Sequence, residues 1–160
     1  MEPALGGEIF DFVASGAFPE PIARMYFRKL MGGIVELHNK GIFHRDLKPD
    51  NVFLSSDLEL KIADFGMSKN IAEMMGSCTR TRLGTEPYMS PELLAGRPYD
   101  PAKADIFAAG AILFIFYAGY PAFGKASPSD GWYSMLMNGN VDAFWSCHDR
   151  QKRNIPGYFN

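Results

Sequence analysis

The chain has 160 residues, of which 47% are hydrophobic and 21% are charged. This composition is typical of a globular domain and argues against a disordered or fibrous protein. Sixteen basic and 18 acidic residues give a formal net charge of −2, which excludes the chain-wide basic surface of nucleic-acid-binding proteins. We therefore expect one domain, or part of a larger one, without a nucleic-acid partner.

The cysteines and the start of the chain predict an intracellular, cytoplasmic protein. Cys78 and Cys147 are far apart and form no CxxC pair, so the sequence predicts neither a disulfide framework nor a zinc site. The start of the sequence shows no basic segment followed by an apolar one, as a secretory signal would have.

The first predicted elements are helical. Residues 9–13 predict a short helix, and Pro21 suits the first turn of a second helix because its missing N–H costs little there. Gly41 fits the C-terminal cap of that second helix. Its apolar residues recur every three to four positions and predict one buried face: Ile22, Met25, Tyr26, Leu30, Ile34 and Leu37.

Two short apolar runs follow, at residues 52–54 and 58–62. Ser55, Ser56 and Asp57 lie between them, so the sequence predicts a β-hairpin. Residues 64–92 lack periodicity and predict a long loop, either functional or mobile.

The longest apolar run covers residues 106–120 and ends at Pro121. Fifteen residues are fewer than the approximately 20 that a membrane span needs. We therefore predict a buried helix beginning near Asp105, and no membrane partner. Residues 129–138 predict a further amphipathic helix, and the last twenty residues show no clear pattern. The expected fold class is mainly α with a small β-hairpin.

The candidate chemistry lies in the segment HRDLKPDN at residues 44–51. Asp46 can accept a proton from an attacking hydroxyl, and Lys48 can balance phosphate charge. The hairpin should bring Asp64, in the segment Asp-Phe-Gly, back beside Asn51. A carboxylate and an amide oxygen are hard ligands that suit Mg²⁺.

These segments resemble the large C-terminal lobe of a eukaryotic protein kinase. The catalytic loop pattern H-R-D-x-x-x-x-N, the D-F-G motif and an S-P-E in the place of A-P-E occur in the expected order. The Leu-Lys-Pro sequence at 47–49 is similar to that of serine/threonine kinases. The resemblance implies transfer of the γ-phosphoryl group of Mg·ATP to a protein Ser or Thr hydroxyl, with ATP and Mg²⁺ as cofactors.

The resemblance also implies a role for each matching residue. Asp46 is the catalytic base, Lys48 approaches the transferred phosphoryl group, and Asn51 and Asp64 bind Mg²⁺. Asp105 ties down the catalytic loop backbone. Four further positions match nucleotide or substrate contacts: Glu8 at the ATP ribose, Phe53 at the floor of the adenine pocket, Thr85 against the catalytic Asp and Lys, and Asp50 near the substrate.

Regulation follows from the same resemblance. Arg45 precedes the catalytic Asp46, a pattern typical of kinases that need an ordered activation segment. Thr81 occupies the position at which such kinases are phosphorylated. A phosphate there is expected to pair with Arg45 and Lys69, and an upstream activating kinase is then expected.

The sequence departs from a whole kinase domain at both ends. Only seven residues precede Glu8, so the small N-terminal lobe is not found. The last helices of the large lobe are not found after the final motif either. We therefore expect residues 1–160 to be a partial kinase domain, with weak or no activity alone. Two alternatives remain open: a non-catalytic binding or scaffold module with a kinase-like surface, and a helical domain with chance motifs.

Overall fold

A computed structural model describes residues 6–14, 16–70 and 84–153, with side chains as far as residue 148. Six helices are found in these ranges: α1 (Ile9–Ala14), α2 (Glu20–Asn39), α3 (Pro91–Leu94), α4 (Pro101–Ala118), α5 (Gly131–Met137) and α6 (Val141–Arg153). Five short strands accompany them: β1 (Gly7–Glu8), β2 (Ile42–Phe43), β3 (Val52–Leu54), β4 (Leu60–Ile62) and β5 (Lys69–Asn70).

Helices α2 and α4 form the centre of the molecule. Tyr26, Leu30 and Ile34 of α2 are buried in one apolar cluster with Ile112 and Phe116 of α4. Pro21 lies in the first turn of α2, and Gly41 follows its end with φ 71°, as the sequence predicts. The buried face of α2 is narrower than the sequence predicts, because the side chains of Ile22 and Met25 remain 38% and 39% exposed.

The start of α4 corrects the sequence prediction. The helix begins at Pro101, and the Asp100 side chain caps it by accepting from the Ala102 N–H at 2.9 Å. The Asp–Pro pair is a favourable helix start because proline needs no N–H partner there. Asp105 therefore lies within the helix and not before it. At the other end, Gly119 adopts φ 82°, a left-handed conformation that glycine tolerates well.

Helix α4 packs as a core helix. It is the helix within the described ranges that is long and apolar enough to cross a membrane by length and composition alone, and half of it is buried inside the protein. Its Asp105 is buried and accepts main-chain hydrogen bonds from residues 44 and 45. The core helix of a protein passes the same length and composition test, so passing it is weak evidence for a membrane span.

The strands form two small antiparallel sheets. The first has the order β1–β3–β4, and the second joins β2 to β5. The predicted hairpin is present, but its second strand begins at Leu60 because Leu58 turns the chain at φ 60°. Glu8 pairs with Phe53 in the first sheet, and Phe43 pairs with Lys69 in the second. Neither of these longer-range pairings was predicted from the sequence.

Two other segments contain elements that the sequence analysis did not predict. In its described part, the segment 64–92 contains β5, the start of α3, and 3₁₀ turns at Phe65–Met67 and Glu86–Tyr88. This part of the segment is therefore more ordered than the predicted loop. The last twenty residues include α6, which buries Phe144 and His148. These two side chains contact the ring of Phe114 on α4. Val141, Phe144, Trp145 and His148 recur at helical spacing, a pattern that the sequence analysis missed.

Candidate active site

The candidate catalytic loop is fixed by the buried carboxylate of Asp105. Its two oxygens accept the main-chain N–H groups of His44 at 3.0 Å and Arg45 at 2.8 Å. His38 Nε2 lies 2.9 Å from the same carboxylate. Arg45 adopts φ 70°, a left-handed conformation that costs a non-glycine residue roughly 1–2 kcal/mol. The two hydrogen bonds from the main chain offset that cost and hold the loop in one shape.

His44 has a structural position in this loop. It is fully buried, its ring lies 5.1 Å from the ring of Phe65, and its Nε2 lies 2.9 Å from the Ala63 carbonyl oxygen. The ring therefore joins the loop to the end of β4. Its ring is thus enclosed by packing, whereas the proton-accepting role is predicted for Asp46.

Asp46, Lys48 and Thr85 converge. The Thr85 hydroxyl donates to Asp46 Oδ1 at 3.3 Å, and Lys48 Nζ donates to Thr85 Oγ1 at 3.4 Å. Lys48 Nζ also lies 3.5 Å from Asp46 Oδ2. Asp46 is 9% exposed, so this is a carboxylate and an ammonium group in a partly desolvated site, where charges interact more strongly than in water.

The backbone brings Asn51 close to Asp64. The Ala63 N–H donates to the Asn51 carbonyl oxygen at 2.9 Å, and Val52 pairs with Ile62 in the sheet. The Asn51 side-chain amide donates to the Asp46 carbonyl oxygen at 2.9 Å. This bond uses the amide nitrogen, which leaves the side-chain oxygen as the atom that can hold a cation.

Asp64 lies at the end of the hairpin in a strained conformation. Its φ is 61°, its side chain is exposed, and Oδ1 accepts from the Gly66 N–H at 3.2 Å. The carboxylate and the Asn51 amide oxygen suit Mg²⁺, which usually takes one or two protein oxygens and completes its octahedron with phosphate and water. Among the described residues, no group of three or more His, Cys, Asp or Glu could hold a metal by itself.

Glu8 and Phe53 lie opposite each other on β1 and β3. Val52 and Leu54 are buried in the apolar cluster, and Phe53 is half-buried on the other face of the strand. Side chains alternate across a strand, so Phe53 forms part of a surface and not of the core. Both predicted nucleotide contacts therefore lie on the same small sheet as β4, whose end carries Asp64.

The predicted regulatory residues are only partly described. Thr81 lies outside the described residues. Lys69 lies on β5 and pairs with Phe43, one residue before the catalytic loop. The Arg45 side chain is buried, and its guanidinium donates from Nε and Nη2 to the Tyr99 hydroxyl oxygen, at 3.3 Å each.

Two tyrosines near the site were not predicted from the sequence. Tyr99 contacts Arg45 as described above. Burial, and then the negative charge of Asp50, raise the pKa of Tyr88 to about 12. Tyr88 follows the Gly-Thr-Glu-Pro segment that carries Thr85, so proximity to a motif residue was the available signal. No sequence signal indicated Tyr99, because its contact joins residues 54 positions apart.

The chain is similar to known protein kinases. The family model described as "Protein kinase domain" matches residues 1–155. CBL-interacting serine/threonine-protein kinase 14 of Arabidopsis thaliana is 46% identical over 124 residues, which are 77% of this chain and 28% of the relative. CBL-interacting protein kinase 26 of Oryza sativa subsp. japonica is 44% identical over 124 residues, 77% of this chain and 25% of the relative.

A third relative extends the match. CBL-interacting protein kinase 5 of Oryza sativa subsp. japonica is 39% identical over 142 residues, which cover 88% of this chain and 31% of the relative. The chain thus spans about a quarter to a third of the length of these curated relatives. The match to the family model and the sequence identity together place it: the chain belongs to the protein kinase family, as a region of a serine/threonine protein kinase domain.

Proposed function

We propose that this chain supplies the catalytic centre of an ATP-dependent protein serine/threonine kinase. The observation that carries the proposal is the convergence of Asp46, Lys48 and Thr85, with contacts of 3.3 to 3.5 Å. A carboxylate beside an ammonium group has little packing value in a partly buried place, and it suits charge stabilisation during phosphoryl transfer.

In the proposed reaction Asp46 orients the hydroxyl of a protein Ser or Thr and accepts its proton. The hydroxyl oxygen forms a bond to the γ-phosphorus of ATP, and the bond from that phosphorus to the bridging oxygen breaks, leaving ADP. Lys48 stabilises negative charge on the transferred group. Thr85 donates to Asp46 Oδ1 and Lys48 Nζ lies 3.5 Å from Oδ2, so each carboxylate oxygen has one partner and keeps a lone pair for the substrate hydroxyl. Asp50, exposed in the adjacent 3₁₀ turn, is assigned to substrate contact.

Asn51 and Asp64 would hold Mg²⁺ in this proposal, and Glu8 and Phe53 would contact the ribose and the adenine. The cation, when bound, neutralises phosphate charge and aligns the leaving group. The assignment is supported by the Asn51 hydrogen bond to the Asp46 carbonyl oxygen, which couples the orientation of the metal ligand to the loop that carries the base.

We assign residues 1–160 to the large C-terminal lobe of the kinase domain. The support is the mainly helical fold, in which α2 and α4 form the core and the small sheet carries the candidate nucleotide contacts at one edge. A nucleotide in this family lies between two lobes, so we expect this region alone to bind Mg·ATP weakly or not at all. We assign the protein to the cytoplasm.

Regulation by phosphorylation of Thr81 belongs to the same proposal. The structure records no ion pair between Arg45 and a carboxylate of the described residues. A buried guanidinium without an anionic partner favours binding of a phosphate, with Lys69 as a second cation and an upstream kinase as its source. The relatives' names describe interaction with CBL, so a regulatory protein partner of the full-length gene product is also proposed.

The test is phosphoryl transfer by the purified full-length gene product, with radiolabelled ATP, Mg²⁺ and a mixture of Ser- and Thr-containing proteins. Asp46→Asn should lower kcat by roughly 10² to 10⁴-fold without changing the unfolding temperature by more than a few degrees. Asp57→Asn, at an exposed turn position of the hairpin, is the matched control. Equal activity of the wild type and Asp46→Asn would exclude Asp46 as the base.

A non-catalytic scaffold is the second candidate function. It predicts no phosphoryl transfer by the full-length gene product and no thermal stabilisation by Mg·ATP. The retention of Asp46, Lys48, Asn51 and Asp64 opposes it, because a scaffold needs no such set. A titration with Mg·ATP that measures the unfolding temperature distinguishes the two functions when it is performed with the wild type and Asp64→Asn. Only a nucleotide site loses its thermal stabilisation when the metal ligand is removed.

A further inference from the structure

The hydroxyl of Tyr99 is the hydrogen-bond acceptor for the guanidinium of Arg45. Nε and Nη2 both donate to it at 3.3 Å. Arg45 is 6% exposed and Tyr99 is 8% exposed, so this contact lies inside the protein. Burying a guanidinium is costly unless its donors find acceptors. Among the described side chains, the Tyr99 hydroxyl oxygen is the acceptor that the structure gives for the Arg45 guanidinium.

The same region of the fold fixes both the backbone and the side chain of Arg45. Tyr99 immediately precedes Asp100, the N-terminal cap of α4, and Asp105 lies in the second turn of that helix. Asp105 accepts the Arg45 main-chain N–H at 2.8 Å, while Tyr99 accepts from the guanidinium. A residue in the left-handed conformation needs surroundings that hold it there, and the beginning of α4 provides two such contacts.

We propose that Tyr99 is a positioning residue for the catalytic loop and acts through Arg45. Holding the Arg45 side chain restrains the left-handed turn, and Asp46 is the next residue in the chain. Tyr99 is therefore expected to limit opening of residues 44–47 and to keep the Asp46 carboxylate near Lys48 and Thr85. The consequence for activity rests on the proposed kinase function, whereas the consequence for loop opening does not.

Hydrogen exchange of the full-length gene product tests this directly. Tyr99→Phe should speed exchange of the Arg45 amide at least fivefold and leave the amides in the middle of α2 unchanged. Tyr26→Phe is the matched control, because it removes the hydroxyl of another buried tyrosine, on α2 and in the main core. It should leave exchange at Arg45 as in the wild type.

A double-mutant cycle tests whether Tyr99 acts through Arg45. Arg45→Met should also speed exchange in the loop, and adding Tyr99→Phe to it should produce no further increase. In phosphoryl transfer, Tyr99→Phe should lower kcat about three- to tenfold and leave the KM for ATP unchanged, since no nucleotide contact is altered.

Two outcomes would overturn the proposal. One is wild-type exchange at Arg45 in Tyr99→Phe, and the other is a further increase when Tyr99→Phe is added to Arg45→Met. If the wild type transfers no phosphate, the proposed kinase function fails, but the exchange measurements still decide whether Tyr99 restrains the loop.

Discussion

Ile62 of β4 packs directly over Gly33 of α2. A Cβ atom built on Gly33 would lie 2.9 Å from Ile62 Cδ1, closer than side chains tolerate. Its neighbour Gly32 faces open space, with nothing within 4 Å of the corresponding position. The small sheet, and with it Asp64 at the end of β4, therefore rests against the glycine side of α2.

This difference makes Gly32 and Gly33 a matched pair. Alanine in place of glycine within a helix stabilises it by about 0.5–1 kcal/mol. We expect Gly32→Ala to raise the free energy of unfolding by that amount, and Gly33→Ala to leave it unchanged or lower it because Ile62 must move. Chemical denaturation of the full-length gene product measures both. An equal gain from the two substitutions would contradict the close packing of β4 on α2.

The Asp105 carboxylate should be essential for stability. Asp105→Asn keeps one acceptor oxygen but turns an N–H₂ group toward one of the two main-chain N–H donors, that of His44 or that of Arg45. A buried donor left without a partner costs about 1–3 kcal/mol, so we expect the free energy of unfolding to fall by about that amount. Asp142→Asn changes an exposed acid in the first turn of α6 and serves as the control, with an expected effect below about 0.5 kcal/mol.

Asp64 should determine the Mg²⁺ requirement of phosphoryl transfer. Asp64→Asn removes the charged ligand, so we expect the Mg²⁺ concentration for half-maximal activity to rise at least tenfold, with a lower kcat. Titration of the full-length gene product with Mg²⁺ at saturating ATP measures this. Asp57→Asn alters an acid of the same hairpin without touching the site. An unchanged Mg²⁺ titration in Asp64→Asn would remove Asp64 from the metal site.

Tyr88 should make stability depend on pH in the alkaline range. Burial raises its pKa to about 12, whereas an unfolded tyrosine titrates near 10. Between pH 10 and 12 the folded protein therefore binds more protons than the unfolded chain, and stability falls as pH rises. Tyr88→Phe should reduce the slope of that loss, measured by urea unfolding from pH 9 to 11.5.

Asp50 adds to the raised pKa of Tyr88 through its negative charge. Asp50→Asn should therefore lower the pKa of Tyr88 and shift the loss of stability to lower pH. Tyr117→Phe, at a tyrosine that is 44% exposed, is the control. The same alkaline slope in Tyr88→Phe as in the wild type would show that other groups cause it.

The sequence by itself determined the elements whose signals are local. The spacing of apolar residues in α2, its proline and glycine at the two ends, and the turn between β3 and β4 follow from rules that act over a few residues. The HRDLKPDN and Asp-Phe-Gly segments likewise predicted Asp46, Lys48, Asn51 and Asp64 as candidate site residues, because their spacing resembles the motifs of the protein kinase family.

Only the tertiary structure decided the contacts between distant parts of the chain. The structure shows that Phe144 and His148 of α6 pack on the ring of Phe114 in α4, a partner that the spacing of apolar residues within α6 does not specify. Glu8 pairs with Phe53 across a separation of 45 positions in the chain. Arg45 contacts Tyr99 across a separation of 54 positions. Such contacts depend on how whole elements pack, and packing depends on burial and shape that no short stretch of sequence encodes.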